Sequence, residues 1–239
     1  MALLVTVTGC SVEKNTGASR FYNSLISKYN IYFNGNESFR AGVAKVKSAH
    51  RDDYSAILPV FEYSSQESVQ VCSAEMERAI QKASKVIALH SITAKPKEKK
   101  RREPRESDEE FFNRKEYNEW IDDSYLLMAK ARFYQKNFSD ARASLIFNLG
   151  ITVDPEMVTE ISIWLSRIYT EEANYSEALR VLEGINDPER SSRTIRTMIY
   201  STYADIALRQ KKYNSAIEPL TKAIEYSSDK QTRVRLTYL

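Results

Sequence analysis

Hydrophobic side chains recur at helical spacing along most of the chain, and one pattern occurs three times between residues 120 and 226. In each copy a small residue is followed nine positions later by an aromatic residue and three positions after that by alanine. The three sets are Ala129, Phe138 and Ala141; Ser166, Tyr175 and Ala178; and Ala204, Tyr213 and Ala216. Because two helices cross closely only where their side chains are small, this spacing predicts three antiparallel helix pairs.

The three alanines recur 37 and 38 residues apart, near the roughly 34-residue period of tetratricopeptide repeats. The copies resemble that family, which implies an all-α tetratricopeptide-repeat solenoid whose first helices line a concave groove. The turns within the pairs read Lys136-Asn137, Ala173-Asn174 and Lys211-Lys212. Since Asn tolerates the left-handed conformation better than Lys, we expect the asparagines to adopt it.

Residues 20–34, before the repeats, are unusually aromatic. Seven apolar residues there follow helical spacing, which favours a core face: Phe21, Tyr22, Leu25, Ile26, Tyr29, Tyr32 and Phe33. Asn34-Gly35-Asn36 predicts a break before a second helix over 37–51. A short helical turn that Pro59 ends and a helix over about 67–90 follow, and Cys72 on that helix is expected to be a small, partly buried side chain.

Residues 95–110 contain no apolar residue other than proline and combine a cationic run with an acidic one. Such a segment predicts a solvated linker. Its cations, Lys97 to Arg102, could instead form a nucleic-acid patch, but no stacking aromatic lies among them. The linker divides an N-terminal helical region at 20–94 from three repeats at 111–229. Residues 230–239 then look like the start of a further repeat, so the chain resembles the front part of a longer protein.

Composition and motifs give little support for catalysis. The net charge of +3 is too small to imply a nucleic-acid partner, and the two cysteines suggest no disulfide framework. The sequence has no metal-binding, phosphate-loop or nucleophile motif, and His50 and His90 lie far apart without neighbouring cysteines. We therefore predict no enzymatic activity, no catalytic residue, no metal, no cofactor and no small-molecule substrate.

The first ten residues form a short apolar run that ends at a cysteine. Val7-Thr8-Gly9-Cys10 resembles a bacterial lipobox, which predicts that Cys10 is a lipid anchor and that residues 11–19 are a polar tether. Ser11 is compatible with outer-membrane sorting. The alternative is a buried N-terminal strand. No Lys or Arg precedes the run, which suggests a late start or a clipped N-terminus. No run of 18 apolar residues occurs, so no membrane span is expected.

The resemblance to tetratricopeptide repeats also predicts a binding surface. Positions on the first helices that would face a partner in the groove are Lys130, Phe133, Tyr134, Arg167, Glu171, Asp205 and Arg209. This mixture of cations, acids and aromatic rings could hold an extended peptide or a partner's helix. The alternative is that the surface is merely solvated.

Several segments, taken in order after the lipobox, resemble one family. They are Lys28–Glu37, Asp52–Phe61, Ala79–Ile87 and Trp120–Ala129, and they are similar to the PorW/SprE-type lipoproteins of the Bacteroidetes type IX secretion and gliding system. The resemblance implies a periplasm-facing outer-membrane lipoprotein, a scaffold that links the translocon to other periplasmic components such as ring and motor proteins. Two alternatives remain: a BamD-like outer-membrane protein assembly lipoprotein and a SusD-like glycan-binding lipoprotein.

Overall fold

The computed structural model describes residues 14–64, 67–97 and 106–239, and these residues form eleven α-helices and no strands. The helices are α1 Gly17–Ile26, α2 Phe33–Ala49, α3 Glu67–His90, α4 Glu106–Asn113, α5 Trp120–Tyr134, α6 Phe138–Leu149, α7 Pro155–Glu171, α8 Tyr175–Glu183, α9 Arg193–Arg209, α10 Tyr213–Tyr226 and α11 Lys230–Tyr238. The predicted all-α solenoid with an N-terminal helical region is confirmed. Within the described ranges, no helix combines the length and the apolar character needed to span a bilayer.

The three predicted helix pairs are present as α5–α6, α7–α8 and α9–α10, each packed in contact. The small residues predicted at the crossings are buried: Ala129, Ala141, Ser166, Ala178, Ala204 and Ala216. At the middle crossing Ser166 Oγ donates a hydrogen bond of 2.9 Å to the carbonyl oxygen of Ala178, so the two helices approach to hydrogen-bonding distance. The crossing prediction is confirmed because it depends only on local spacing and side-chain size.

The turns within the pairs contain a left-handed residue, but it is not asparagine. Lys136, Ala173 and Lys211 have φ of 57°, 58° and 59°. Asn137 and Asn174 follow them as N-caps, each accepting a backbone N–H from the first turn of the next helix. The expectation that asparagine would be left-handed was wrong. A capping side chain must reach the helix N–H groups from a non-helical backbone, so the preceding residue makes the turn.

The N-terminal region begins with one long helix rather than a hairpin. A π-helical turn, Ser27–Tyr32, joins α1 directly to α2, and the predicted break at residues 34–36 does not occur. Gly35 is buried, and a Cβ on it would lie 3.0 Å from the Cβ of Lys82 and 3.2 Å from Cδ2 of Leu127. The glycine therefore permits close approach to α3 and α5 instead of ending the helix.

Helix α3 lies between α2 and α5, so the N-terminal helices pack directly on the first repeat. Its inner face is fully buried at Cys72, Met76, Ala79, Ala83 and Val86. Burial raises the pKa of the Cys72 thiol, which keeps it protonated at neutral pH. Cys72 was predicted to be a small, partly buried side chain, and the structure buries it fully.

Candidate functional site: the concave groove of the repeats

A segment from the N-terminal region crosses the first helices of all three repeats. After α2 the chain is irregular from His50 to Phe61 and then makes a 3₁₀ turn at Glu62–Ser64. The short helix predicted before Pro59 is absent, and the chain makes only a turn there, in which the Ala56 N–H donates to the carbonyl oxygen of Asp53 at 3.2 Å. We call Leu58–Ser64 the groove segment. Its side chains at Leu58, Val60 and Tyr63 are buried.

Aromatic rings hold the middle of the groove segment against α5. The ring of Tyr63 lies edge-on to Phe133 with centroids 4.9 Å apart, and 5.6 Å from the ring of Tyr134. Phe61 stacks on the other side of Tyr63 at 5.0 Å. Burial raises the pKa of Tyr63 well above its ordinary value. The groove therefore encloses one aromatic side chain, that of Tyr63, among other aromatic rings.

A buried cation of α7 lies next to these rings. The Arg167 guanidinium carbon is 4.3 Å from the ring centroid of Phe61 and 4.9 Å from that of Trp164. Arg167 Nε also donates a 3.1 Å hydrogen bond to Thr202 Oγ1 on α9. Two ring faces and a hydroxyl compensate for the water that the cation loses on burial. Arg167 thus links the groove segment to two repeats.

Ser64, at the end of the groove segment, is held by charged groups of α7 and α9. Arg209 donates to Ser64 Oγ at 2.8 Å, and Ser64 Oγ donates to Glu171 at 3.2 Å. Arg209 also pairs with Glu171 and, at 3.0 Å, with Asp205. Burial raises the pKa of Asp205, and Arg209 opposes that rise. The Lys136 ammonium donates to the backbone carbonyl of Ser64 at 3.1 Å.

The structure gathers most of the predicted groove residues around this segment. Phe133, Tyr134, Arg167, Glu171 and Arg209 contact it or its nearest rings, and Asp205 holds Arg209 in place. Lys130 does not join them: its ammonium pairs with Glu160 and lies 5.8 Å from the ring centroid of Trp164. A partner-binding role for the seven residues stays a prediction. Cys10 lies outside the described residues.

Comparison with protein families identifies the family to which this helical array belongs. The model of the tetratricopeptide repeat-like domain matches residues 74–231, about two thirds of the chain. This chain belongs to the tetratricopeptide repeat-like family. The match begins within α3, inside the region predicted to precede the repeats. Comparison with curated proteins finds no match. A tetratricopeptide repeat-like domain is a protein–protein interaction scaffold, and this family is typically non-enzymatic.

One part of the groove in this tetratricopeptide repeat-like chain was not predicted. Arg235 on α11 donates to the carbonyl of Pro59 at 3.0 Å and to both carboxylate oxygens of Asp52, at 2.8 and 3.0 Å. Although burial acts against it, the hydrogen bonds from Arg235 hold the pKa of Asp52 below its ordinary value. Arg235 and Asp52 are 183 residues apart, and no local pattern in the sequence could have paired them.

Proposed function

We propose that this chain is a non-enzymatic, lipid-anchored adaptor of the type IX protein secretion and gliding machinery, linking the outer-membrane translocon to other periplasmic components. The observation that carries the adaptor function is the array of three repeats, because tetratricopeptide repeat-like domains are protein–protein interaction scaffolds. The three repeats hold the groove segment through aromatic contacts to Tyr63, a cation–π contact and hydrogen bonds to Ser64. The secretion assignment rests on the family resemblance of the segments between Lys28 and Ala129.

The groove as described is filled by the chain's own residues. A partner that uses the same side chains must offer a similar segment and displace Leu58–Ser64, whereas a partner that binds elsewhere leaves the segment in place. Leu58, Val60 and Tyr63 of the segment are buried against the repeats. Displacing the segment would therefore expose these side chains and the apolar surface that they cover. We therefore propose that partners of the adaptor bind mainly to surfaces outside the groove while the groove segment keeps the repeats in register.

The proposed anchor is Cys10, acylated after processing, with the domain in the periplasm and the lipid in the outer membrane. The chain has a matched control, because its other cysteine, Cys72, is buried in α3. Metabolic labelling with a fatty-acid analogue tests this point. The Cys10→Ala variant is expected to lose the label and the Cys72→Ala variant to keep it. Label that survives Cys10→Ala excludes this anchor.

The function is tested by affinity purification of the tagged native protein from detergent-solubilised envelopes, followed by mass spectrometry. Co-purification of type IX translocon or periplasmic ring and motor components is the expected result. Recovery of β-barrel assembly proteins or of glycan importers in their place would assign the adaptor to another machinery and refute the proposal. Repeating the purification with Arg167→Met distinguishes binding in the groove from binding elsewhere. A partner bound in the groove should be lost from this variant, and a partner bound outside the groove should be retained.

A further inference from the structure

The long N-terminal helix has a row of large aromatic and apolar side chains outside, while two of its polar residues, Asn23 and Ser27, lie inside. Phe21, Leu25, Tyr29 and Phe33 form one row with an exposure between 45% and 70%, and Tyr22 lies beside them. The opposite row, two positions further along, is buried: Asn23, Ser27, Ile31 and Gly35. The prediction that the aromatic row is a core face was therefore wrong for these five exposed side chains.

Specific hydrogen bonds hold the polar row inside. His90 Nδ1 lies 2.8 Å from Asn23 Oδ1, and the Asn118 side-chain amide donates to Ser27 Oγ and to the carbonyl of His90, both at 2.9 Å. Burial lowers the pKa of His90, so its ring is neutral at pH 7. Rotating the helix to bury the aromatic row would break these bonds and leave their partners unsatisfied. The outward direction of the rings is thus built into the packing.

The π-helical turn keeps the exposed row straight. In an α-helix, side chains four residues apart drift around the axis by about 40° per step. The π-helical turn Ser27–Tyr32 has more residues per turn than an α-helix. Side chains four residues apart there rotate around the axis in the opposite direction and compensate for the drift. The row therefore runs along one side of the helix for about 18 Å.

The charges around the row are mostly positive, and the acid that continues the row, Glu37, is paired with Arg40 at 3.4 Å. Residues 14–36 contain Lys14, Arg20 and Lys28 and no acidic residue. Lys14 and Lys28 are exposed, and the Lys28 ammonium lies 5.2 Å from the ring centroid of Tyr29. From the packed elements, Glu119 accepts a hydrogen bond from Ser24 at the flank of the row. Arg20 lies over the ring of Phe111.

We propose that this exposed row lies flat against an anionic lipid surface. A helix with Phe, Leu and Tyr on one side and flanking lysines is suited to the headgroup region, where apolar side chains enter the acyl boundary and cations contact lipid phosphates. Tyrosine is favoured at that depth because its ring is apolar and its hydroxyl is polar. The contact does not require Cys10 to be acylated and does not depend on which secretion machinery the adaptor serves.

The test uses the full 239-residue chain carrying Cys10→Ser, so that no lipid is attached. Binding is measured by flotation with phosphatidylcholine vesicles that contain or lack phosphatidylglycerol. We expect binding to the anionic vesicles only. We expect the double variant Phe21→Ser, Phe33→Ser to bind at least about ten-fold more weakly and Lys28→Gln to bind about five-fold more weakly. Circular dichroism checks that each variant is folded.

The matched control is Tyr213→Ser with Ile217→Ser, which removes two exposed apolar side chains from α10. We expect it to bind vesicles as the parent does. Absence of binding to anionic vesicles, or binding that the Phe21 and Phe33 substitutions leave unchanged, overturns the proposal. If those substitutions instead remove a protein from the envelope purification without affecting vesicle binding, the row is a protein interface and the proposal also fails.

Discussion

In the groove, the buried ring of Tyr63 packs against Phe61 and Phe133, whereas on the N-terminal helix the side chain of Phe21 is 70% exposed. Both segments are rich in aromatic residues, and both precede the three predicted repeats. Their different burial follows from their polar groups. The groove segment satisfies its polar groups with Arg209 of α9 and Arg235 of α11, while the N-terminal helix satisfies Asn23 with His90. Hydrogen-bond partners therefore decide which aromatic face is turned inward.

The largest effect is expected from Tyr63→Ala, which removes the ring at the centre of the groove segment. Loss of a large buried aromatic side chain costs about 3–5 kcal/mol of unfolding free energy. Urea unfolding measures the change. The control is Tyr54→Ala, because Tyr54 is exposed and its ring pairs only with that of Tyr238 among the ring contacts described. If both variants unfold at the same urea concentration, the groove segment is not part of the folded core.

A smaller loss, of about 3 kcal/mol, is expected for Arg209→Ala, because the substitution leaves Asp205 and Glu171 without their cation. The control is Arg180→Ala, since Arg180 pairs with Glu177 on the exposed surface of α8. Chemical unfolding of the two variants should show a clear loss for Arg209 and no measurable change for Arg180. Equal losses would mean that the charged groups around Ser64 add nothing beyond a surface ion pair.

On the N-terminal helix we expect replacement of a polar residue to lower the stability more than replacement of an aromatic residue, the reverse of the usual order. Asn23→Ala should cost about 1–3 kcal/mol because it leaves the buried His90 ring without its partner. Phe21→Ala should change the unfolding free energy by no more than about 0.5 kcal/mol because its ring is exposed. Thermal or urea unfolding of both variants at pH 7 makes the comparison. A greater loss for Phe21 would show that the aromatic row is a core face in solution.

The smallest expected effect on stability depends on pH and concerns Asp123 on α5, where the first repeat meets Tyr32 of the N-terminal helix. Burial, helped by Asp122, raises the pKa of Asp123 on α5 to about 6. The folded state therefore binds a proton on Asp123 more tightly than the unfolded state does. As a result, the free energy of unfolding falls as the pH rises through 6 and Asp123 becomes charged. Asp123→Asn should therefore be about 1 kcal/mol more stable than the parent at pH 7, after allowance for the lost charge at the helix N-terminus. The difference should disappear near pH 4.

Urea unfolding across that pH range has a control of opposite sign. The hydrogen bond from Arg180 lowers the pKa of Glu177, so the stability that Glu177 contributes is present at neutral pH and is lost as the pH falls through its folded-state pKa. Because the pair with Arg180 is exposed, Glu177→Gln should be at most slightly less stable than the parent at pH 7 and equal to it in acid, with no gain at neutral pH. A gap for Asp123→Asn that stays constant with pH would refute the assignment.

Sequence reasoning succeeded where the physics is local. The small residues at the helix crossings, such as Ala141 and Ala178, were found because their spacing alone implies close packing. It failed at Gly35, whose role depends on Lys82 and Leu127, side chains that come from elsewhere in the chain. It also failed for the aromatic row, since helical periodicity defines a face without telling which side of the helix faces the protein.

The groove shows the same limit of reasoning from local sequence. Phe133 and Arg167 on the first helices both lie against the ring of Trp164, but nothing local indicated which segment would lie against them. The occupant comes from far away in the chain: Ser64 is 145 residues from Arg209 and 72 from Lys136. Such pairings depend on the complete fold and are not written in any window of the sequence.

The bonds from Arg235 to Asp52 and Pro59 also have a consequence for how the chain folds. A repeat array whose contacts are all between neighbours can nucleate in one repeat and grow outward. Here the last helix is tied to a segment that precedes the first repeat, and that tie forms only after a loop of more than 170 residues has closed. We expect the array to propagate quickly, the closure to be the slow final step, and the closed molecule to unfold as a single unit.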